Sequence, residues 1–414
     1  MSKITTGKYR VPFLLATTLF FLWGFARNIL SVLNKHFQDV FDIGIAKSSW
    51  VEVCTFLGYF LMAMPAGMYV AKHGYQRTMV LGLIVFAAGC LLFVPCASAG
   101  QFSWLLIAFF IIACGLVFLE VSANPYVTKL GPAETASSRL NMAQSLNGLG
   151  GIMAPLIMGG FLFSDEELPV GESLLFRASI PYIVMGLVVL LIAVVFANVN
   201  LPQSAISTSV AADEESCDNR HRLRESAPFV FALIALLAYE VAEISVNSYF
   251  INYSVGQLGV EAAGASRWLS VCLGVFMIGR FVGSIIMARV SAVKVLAVCG
   301  VGAVLSVATL MLLAMFSPDS TSLQMLTLLL LYLCESIMFP TIYSQALLRL
   351  PQNLLPRAGA ILMMTPVGGC AFLLMGAMAD SMGYVIPFAM PLAGYIIVAS
   401  YAIWRNNNQN EIKK

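Results

Sequence analysis

The sequence predicts an all-α membrane protein of twelve transmembrane helices in two six-helix bundles. Three observations lead there. First, 59% of the 414 residues are apolar and only 11% are charged, against roughly 25% charged in a soluble domain; mean hydropathy is +0.86. That leaves too little charge to cover a water-facing surface. Second, apolar runs of about 20 residues, the length that crosses a bilayer core, recur twelve times along the chain. They are continuous rather than alternating, which argues against a β-barrel. Third, with both termini cytoplasmic, 17 of the 23 Lys and Arg residues fall on the inner side, as the positive-inside rule requires. An odd number of spans would scatter them.

The first six spans are Val11–Leu33, Trp50–Ala71, Met79–Ser98, Phe102–Val127, Arg139–Phe163 and Ile180–Val199. The polar, basic start, Met1–Arg10, leads into a long apolar run, which reads as a retained first helix rather than a cleavable signal. Spans three and six carry almost no polar groups, whereas spans one, four and five carry several. Leu201–Ala227 follows, charged and long for a membrane loop, and reads as a linker. The second six spans are Pro228–Tyr253, Trp268–Arg289, Val293–Phe316, Leu323–Leu348, Ala358–Asp380 and Val385–Trp404. Here spans seven, ten and eleven carry polar groups, and spans nine and twelve almost none. The expected division is residues 1–200 as one bundle, 201–227 as a cytoplasmic linker and 228–414 as the second bundle.

The halves repeat. Glu120 precedes Pro125 by five residues in span four, and Glu335 precedes Pro340 by five in span ten. Arg139 precedes Gly150-Gly151 as Arg357 precedes Gly368-Gly369. The two offsets, 215 and 218 residues, agree with the linker position. Parallel six-helix repeats of this kind are the pattern of the major facilitator fold, whose substrate sites lie near the bilayer midplane.

Ionisable residues inside a membrane are costly and mark function by default. They are Arg27, Glu120, Glu240, Glu243, Arg280 and Glu335; Glu52 and Asp380 lie near outer ends, where water can hydrate them. Each has two readings, a functional group or a structural lock. Glu240, Glu243 and Asn247 fall on one face of span seven. Asn28 and Ser31 share a face of span one, and Asn141, Gln144 and Asn147 form a polar stripe on span five. Such amides and hydroxyls suit a polyhydroxylated solute, because every sugar hydroxyl needs a donor and an acceptor. Trp23, Phe25, Tyr249, Phe250 and Phe339 offer apolar faces to a sugar ring, or simply pack helices together. A carboxylate here can bond sugar hydroxyls or take a coupling cation, H⁺ or Na⁺, and composition does not separate these jobs.

Other classes recede. Eight of the nine cysteines lie in or beside apolar runs, with no Cys-x-x-Cys pair and no His cluster; they read as small core residues, not a disulfide or metal framework. No nucleophile–base pair or phosphate loop points to an enzyme. A net charge of +2 offers no basic surplus for nucleic acid. No cofactor or metal is expected beyond the coupling ion.

The motifs FFLWGFARNI (20–29), LEVSANPYVTKLGP (119–132), RLNMAQSLNGLG (139–150), IGRFVGS (278–284) and IMFPTIYS (337–344) resemble those of the L-fucose permease family. This is the fucose–galactose–glucose branch of the major facilitator superfamily, and the resemblance spans all twelve helices. It implies functional roles for Glu120, for Asn147 with Gln144 a turn earlier, for Asn28 and for Glu243. The family's proton-coupling aspartate in span one is matched by Ser31, with Arg27 one turn before it. Glu120 or Glu243 then takes the ion, or the ion is Na⁺, or coupling is absent. The superfamily's loop motif is degraded: Gly67, Lys72, Gly74 and Arg77 remain, but Ala71 replaces its acidic residue. With Arg289 and Lys294 in the second half, Lys72 and Arg77 are expected at a cytoplasmic gate.

The reading is a secondary active transporter that imports a hexose or 6-deoxyhexose by alternating access. Its expected sugar ligands are Glu120, Asn28, Gln144, Asn147, Asn247 and Glu335, and its expected ion-coupling groups Glu120, Glu243 and Glu240. A monomer in the lipid bilayer of a bacterial inner membrane is expected. The alternatives are an exporter of the same fold, which GLGGIMAPLIMGG (148–160) loosely resembles, and a non-transporting sugar sensor.

Overall fold

The computed structural model describes residues 9–128, 136–163, 174–199, 227–287, 290–347 and 364–411, with isolated positions between them. The expected linker lies almost wholly outside the described residues. The chain forms two compact units. One comprises Met1–Ile43 with Trp50–Ala211, the other Gly44–Ser49 with Ala212–Lys414.

In the first unit the spans are helices Arg10–Phe41, Trp50–His73, Tyr75–Ser98, Phe102–Thr128, Ala136–Leu162 and Leu174–Asn198. Spans one and five meet through glycines. A Cβ on Gly24 would run into the backbone carbonyl of Asn147, and one on Gly150 into the carbonyl of Phe21. Only the absence of side chains lets these backbones approach, as in small-residue membrane interfaces. Span four runs through Pro125 without interruption, as membrane helices tolerate when neighbours serve the freed carbonyl.

Glu52 corrects one expectation. Its place near an outer end makes it accessible to water in the sequence reading, but it is 0% exposed, as is Asn34. The Asn34 amide donates to Glu52 Oε2 at 3.2 Å, and Gln38 Nε2 donates to Asn34 Oδ1 at 2.6 Å. Asn34 of span one thus donates to a carboxylate in the first turn of span two, and Gln38, a turn on, orients the Asn34 amide. Glu52→Ala removes the acceptor of this buried Asn34 bond, a change worth about 1–3 kcal/mol. A lower thermal midpoint in detergent, with unchanged uptake per folded molecule, is the expected result.

In the second unit the spans begin with Ala227–Gly256, Ala262–Met287 and Ala292–Phe316. Span ten departs from a simple helix: Thr321–Glu335 and Met338–Leu347 are separate helices with a turn at residues 336–337. Span eleven departs as well. From Thr365 it is a 3₁₀ segment, Thr365–Ala371, leading into the helix Phe372–Met382. Gly368 sits in that segment, where a Cβ would lie 3.0 Å from the Val241 nitrogen of span seven. Pro366 and the glycine pair weaken an α-helix here and permit the close contact. A 3₁₀ turn, Ile386–Phe388, and the helix Ala389–Glu411 complete the unit. Eleven described segments are long and apolar enough to cross a membrane, with the two pieces of span ten taken as one; much of the start of span eleven lies outside the described residues.

Asp380 closes the helix Phe372–Met382 and is exposed, as expected, but it is not idle. Its carboxylate accepts the backbone N–H of Ile45 at 2.8 Å and of Ala46 at 2.9 Å. These open the short helix Ile45–Ser48, so the carboxylate serves donors that a helix start leaves without intrahelical partners.

Candidate functional site

In the first unit the polar groups gather around Glu120. A cleft is lined by Trp23 and Phe20 of span one and by Glu120, Ala123 and Asn124 of span four. Arg27, one turn beyond Trp23, lies within electrostatic reach of Glu120. Its guanidinium also stands over the Phe56 ring at 5.8 Å, a cation–π contact. Tyr59 of span two is under the influence of both charges.

Three polar atoms in this cluster are left over. Trp23 Nε1, the Tyr59 hydroxyl and Asn124 Oδ1 are buried and have no well-formed hydrogen bond among the described residues. Trp23 and Tyr59 are neighbours, yet their geometry does not make a bond between them. A buried polar group without a partner costs about 1–3 kcal/mol, and native proteins hold few of them. Two donors and an acceptor left open around a carboxylate are what a hydroxylated ligand would satisfy.

The amides of spans one and five play a second part. Asn28 Nδ2 donates to the Gly24 carbonyl at 2.9 Å, and Asn147 Nδ2 donates to the Phe20 carbonyl at 3.2 Å. The Asn147 amide thus braces the crossing of spans one and five, while the Asn28 amide bonds back within span one. Gln144 lies half-buried one turn before Asn147, and Ser31 is buried with its hydroxyl on the Asn28 carbonyl at 3.0 Å. The side chain of Asn141 lies outside the described residues.

In the second unit the expected residues split. Glu240 is 3% exposed and Glu335 1%, while Glu243 and Asn247 are half-buried. Tyr332 donates its hydroxyl to Asn247 Oδ1 at 3.2 Å. The Glu335 carboxylate accepts the hydroxyl of Tyr395 from span twelve, so the fold already uses it. Glu243 acts electrostatically on Glu335. Tyr239 stands among Glu243, Glu335, Arg280 and Glu240. Of the aromatic candidates, Tyr249 and Phe250 are sealed inside at 0% and 1% exposure, Phe250 meeting Tyr332 edge-on at 6.1 Å. They pack the second bundle.

Lys72, Arg77 and Lys294 are exposed at helix ends, and Arg289 lies outside the described residues. Sequence reasoning missed Asn124, Tyr59, Tyr239, Tyr332 and Tyr395. Asn124 was within reach, since it stands one helical turn after Glu120 on the same face. The phenols were hidden by being counted as apolar.

Comparison with known proteins agrees with this architecture. A model of the Major Facilitator Superfamily matches residues 16–373. A glucose/galactose transporter of Brucella abortus is 34% identical over 393 residues, covering 94% of this chain and 92% of that protein. The L-fucose-proton symporter of Escherichia coli K12 is 31% identical, covering 96% and 94%. The crystal structure of the transporter FucP in its outward conformation aligns with a TM-score of 0.71 at 29% identity, covering 96% of this chain and 99% of that one. The chain belongs to the Major Facilitator Superfamily and, within it, to the L-fucose permease family.

Proposed function

We propose that the protein is a secondary active transporter that carries a monosaccharide, a hexose or 6-deoxyhexose, by alternating access with a coupled cation. The observation that carries this reading is the cluster in the first unit: a carboxylate at Glu120 ringed by open polar atoms on Trp23, Tyr59 and Asn124. An indole beside these groups offers the flat apolar surface that a sugar ring needs as well. The relatives named as glucose/galactose transporter and L-fucose-proton symporter support the same class of solute.

Glu120 is the principal ligand in this proposal, with Asn28, Gln144, Asn147 and Asn247 contributing amides. Glu335 stays in the set through its place beside Glu243, although Tyr395 holds its carboxylate. Protons are the proposed coupling ion, supported by the named symporter relative, with Glu120, Glu243 and Glu240 as the groups that carry the charge. Lys72, Arg77, Arg289 and Lys294 are proposed for the cytoplasmic gate. We place the chain as a monomer in a bacterial inner membrane, both termini cytoplasmic, with bundles at 1–200 and 228–414 joined by 201–227.

The test is uptake into proteoliposomes of labelled L-fucose, D-galactose, D-glucose, D-mannose and N-acetylglucosamine, each under an imposed proton gradient and, separately, a Na⁺ gradient. Proton-driven accumulation of at least one sugar is expected; Na⁺ stimulation without pH dependence would overturn the proton assignment. Asn124→Leu removes one open acceptor and should weaken half-saturation about 5- to 30-fold, the equivalent of about 1–2 kcal/mol.

A further inference from the structure

Span ten is interrupted where its sequence echoes span four, and the interruption is held from outside. In an α-helix the Ser336 carbonyl would accept the N–H of residue 340, four residues on. Residue 340 is proline and has none, and its ring crowds that same carbonyl. The carbonyl is nevertheless served. Arg280 of span eight donates Nε–H to Ser336 O at 3.1 Å, and its guanidinium rests over the Phe276 ring at 4.6 Å, one turn back on its own helix. Tyr239 of span seven donates its hydroxyl to the neighbouring Glu335 carbonyl at 3.4 Å, while Tyr395 of span twelve holds the Glu335 side chain.

Span eight is shaped for this contact. A Cβ on Gly279 would lie 2.5 Å from the Ser336 hydroxyl, and one on Gly283 would strike the Ile337 side chain. The two glycines, one turn apart, flank the turn at residues 336–337 and bring the Arg280 side chain to the open carbonyl. The Ser336 hydroxyl bonds back to the Leu333 carbonyl at 2.6 Å. The turn is thus fixed from both of its ends.

We propose that Arg280 is a positioning residue for transport: by serving the carbonyl that Pro340 leaves open, it sets the turn in span ten and, through it, the placement of Glu335. In this role Arg280 acts through the Ser336 carbonyl rather than as a sugar ligand. The rate of the conformational step depends on it, and the affinity for sugar does not.

This rests on the transport reading, so the experiment has two independent arms. In the first, Arg280→Met is compared with wild type in proteoliposomes, using labelled D-galactose and L-fucose. The initial rate should fall by about tenfold or more, while equilibrium binding stays within about twofold; Arg280→Lys, which keeps a donor, should recover part of the rate. Binding that weakens in step with the rate would put Arg280 in the sugar site and overturn the proposal. The second arm needs no transport. Pro340→Ala returns the missing N–H, so Ser336 can be served from within its own helix. Arg280→Met should lower the thermal midpoint in the wild-type background but barely alter it in the Pro340→Ala background. An equal drop in both backgrounds would overturn the clamp. If Arg280→Met alone does not fold, the double variant decides: it should fold whenever Pro340→Ala does, and its failure to do so would refute the idea. Uptake of neither sugar by wild type would count against the transport reading, leaving the melting comparison to judge Arg280.

Discussion

Glu120→Gln is expected to abolish the accumulation of sugar. The substitution preserves the shape and one acceptor of the side chain but removes its charge and its ability to exchange a proton. A hydrogen bond to a charged group is worth about 1.5–3 kcal/mol, which corresponds to roughly 10- to 150-fold in binding. The loss extends beyond the sugar, because Arg27 lies within electrostatic reach of Glu120 and the charge balance of the cluster changes with it. Two measurements separate the roles of the carboxylate. Exchange of labelled for unlabelled sugar needs binding and reorientation but no net ion movement; uphill accumulation needs both. Exchange that survives while accumulation is lost assigns Glu120 to the ion, and loss of both assigns it to sugar and ion together. Normal accumulation by Glu120→Ala would refute the central claim about this residue.

Gly24→Leu is expected to prevent the first unit from assembling. A Cβ at position 24 already collides with the backbone of Asn147, and backbone cannot swing aside as a side-chain tip can. Overpacking of a well-packed interior costs about 1–3 kcal/mol, and here a whole isobutyl group must fit where a methyl does not. Separating spans one and five would also break the Asn147 bond to the Phe20 carbonyl and move Trp23 away from Glu120. Loss of the monodisperse peak in detergent chromatography is the expected readout. Gly160→Ala is the matched control on span five: its added Cβ would meet nothing within 4 Å, and it should leave yield and uptake unchanged. A well-folded Gly24→Leu protein would mean that this crossing is looser than its geometry indicates.

The spans were legible because transmembrane length and charge asymmetry are properties of the chain itself. Glu120 was legible for a related reason, as a carboxylate among apolar neighbours stands out without any structure. What escaped depends on neighbours that a linear reading does not supply. Pro125 and Pro340 look alike in sequence, five residues after a glutamate. Only the second breaks its helix, since only there do Gly279, Arg280 and Gly283 meet the freed turn. Glu52 looked hydrated from its place near a helix start, but depth along a helix does not report lateral burial beneath Asn34. The hydroxyls of Tyr59, Tyr332 and Tyr395 were invisible to any scale that scores tyrosine by its ring. Tyr332 and Tyr395 bond Asn247 and Glu335, while the Tyr59 hydroxyl is left open beside Glu120.

The unequal treatment of the two glutamate–proline segments has a mechanical consequence. Span four, unbroken through Pro125, transmits displacement as a rod does, so a push at one end arrives at the other. Span ten, divided at residues 336–337, depends at its middle on Arg280, Tyr239 and Tyr395 of three other spans, so a load on it is shared with them. The matching segments of the two halves are therefore one self-supporting arm and one arm braced by its neighbours. Support, rather than residue identity, is where the repeat has lost its symmetry.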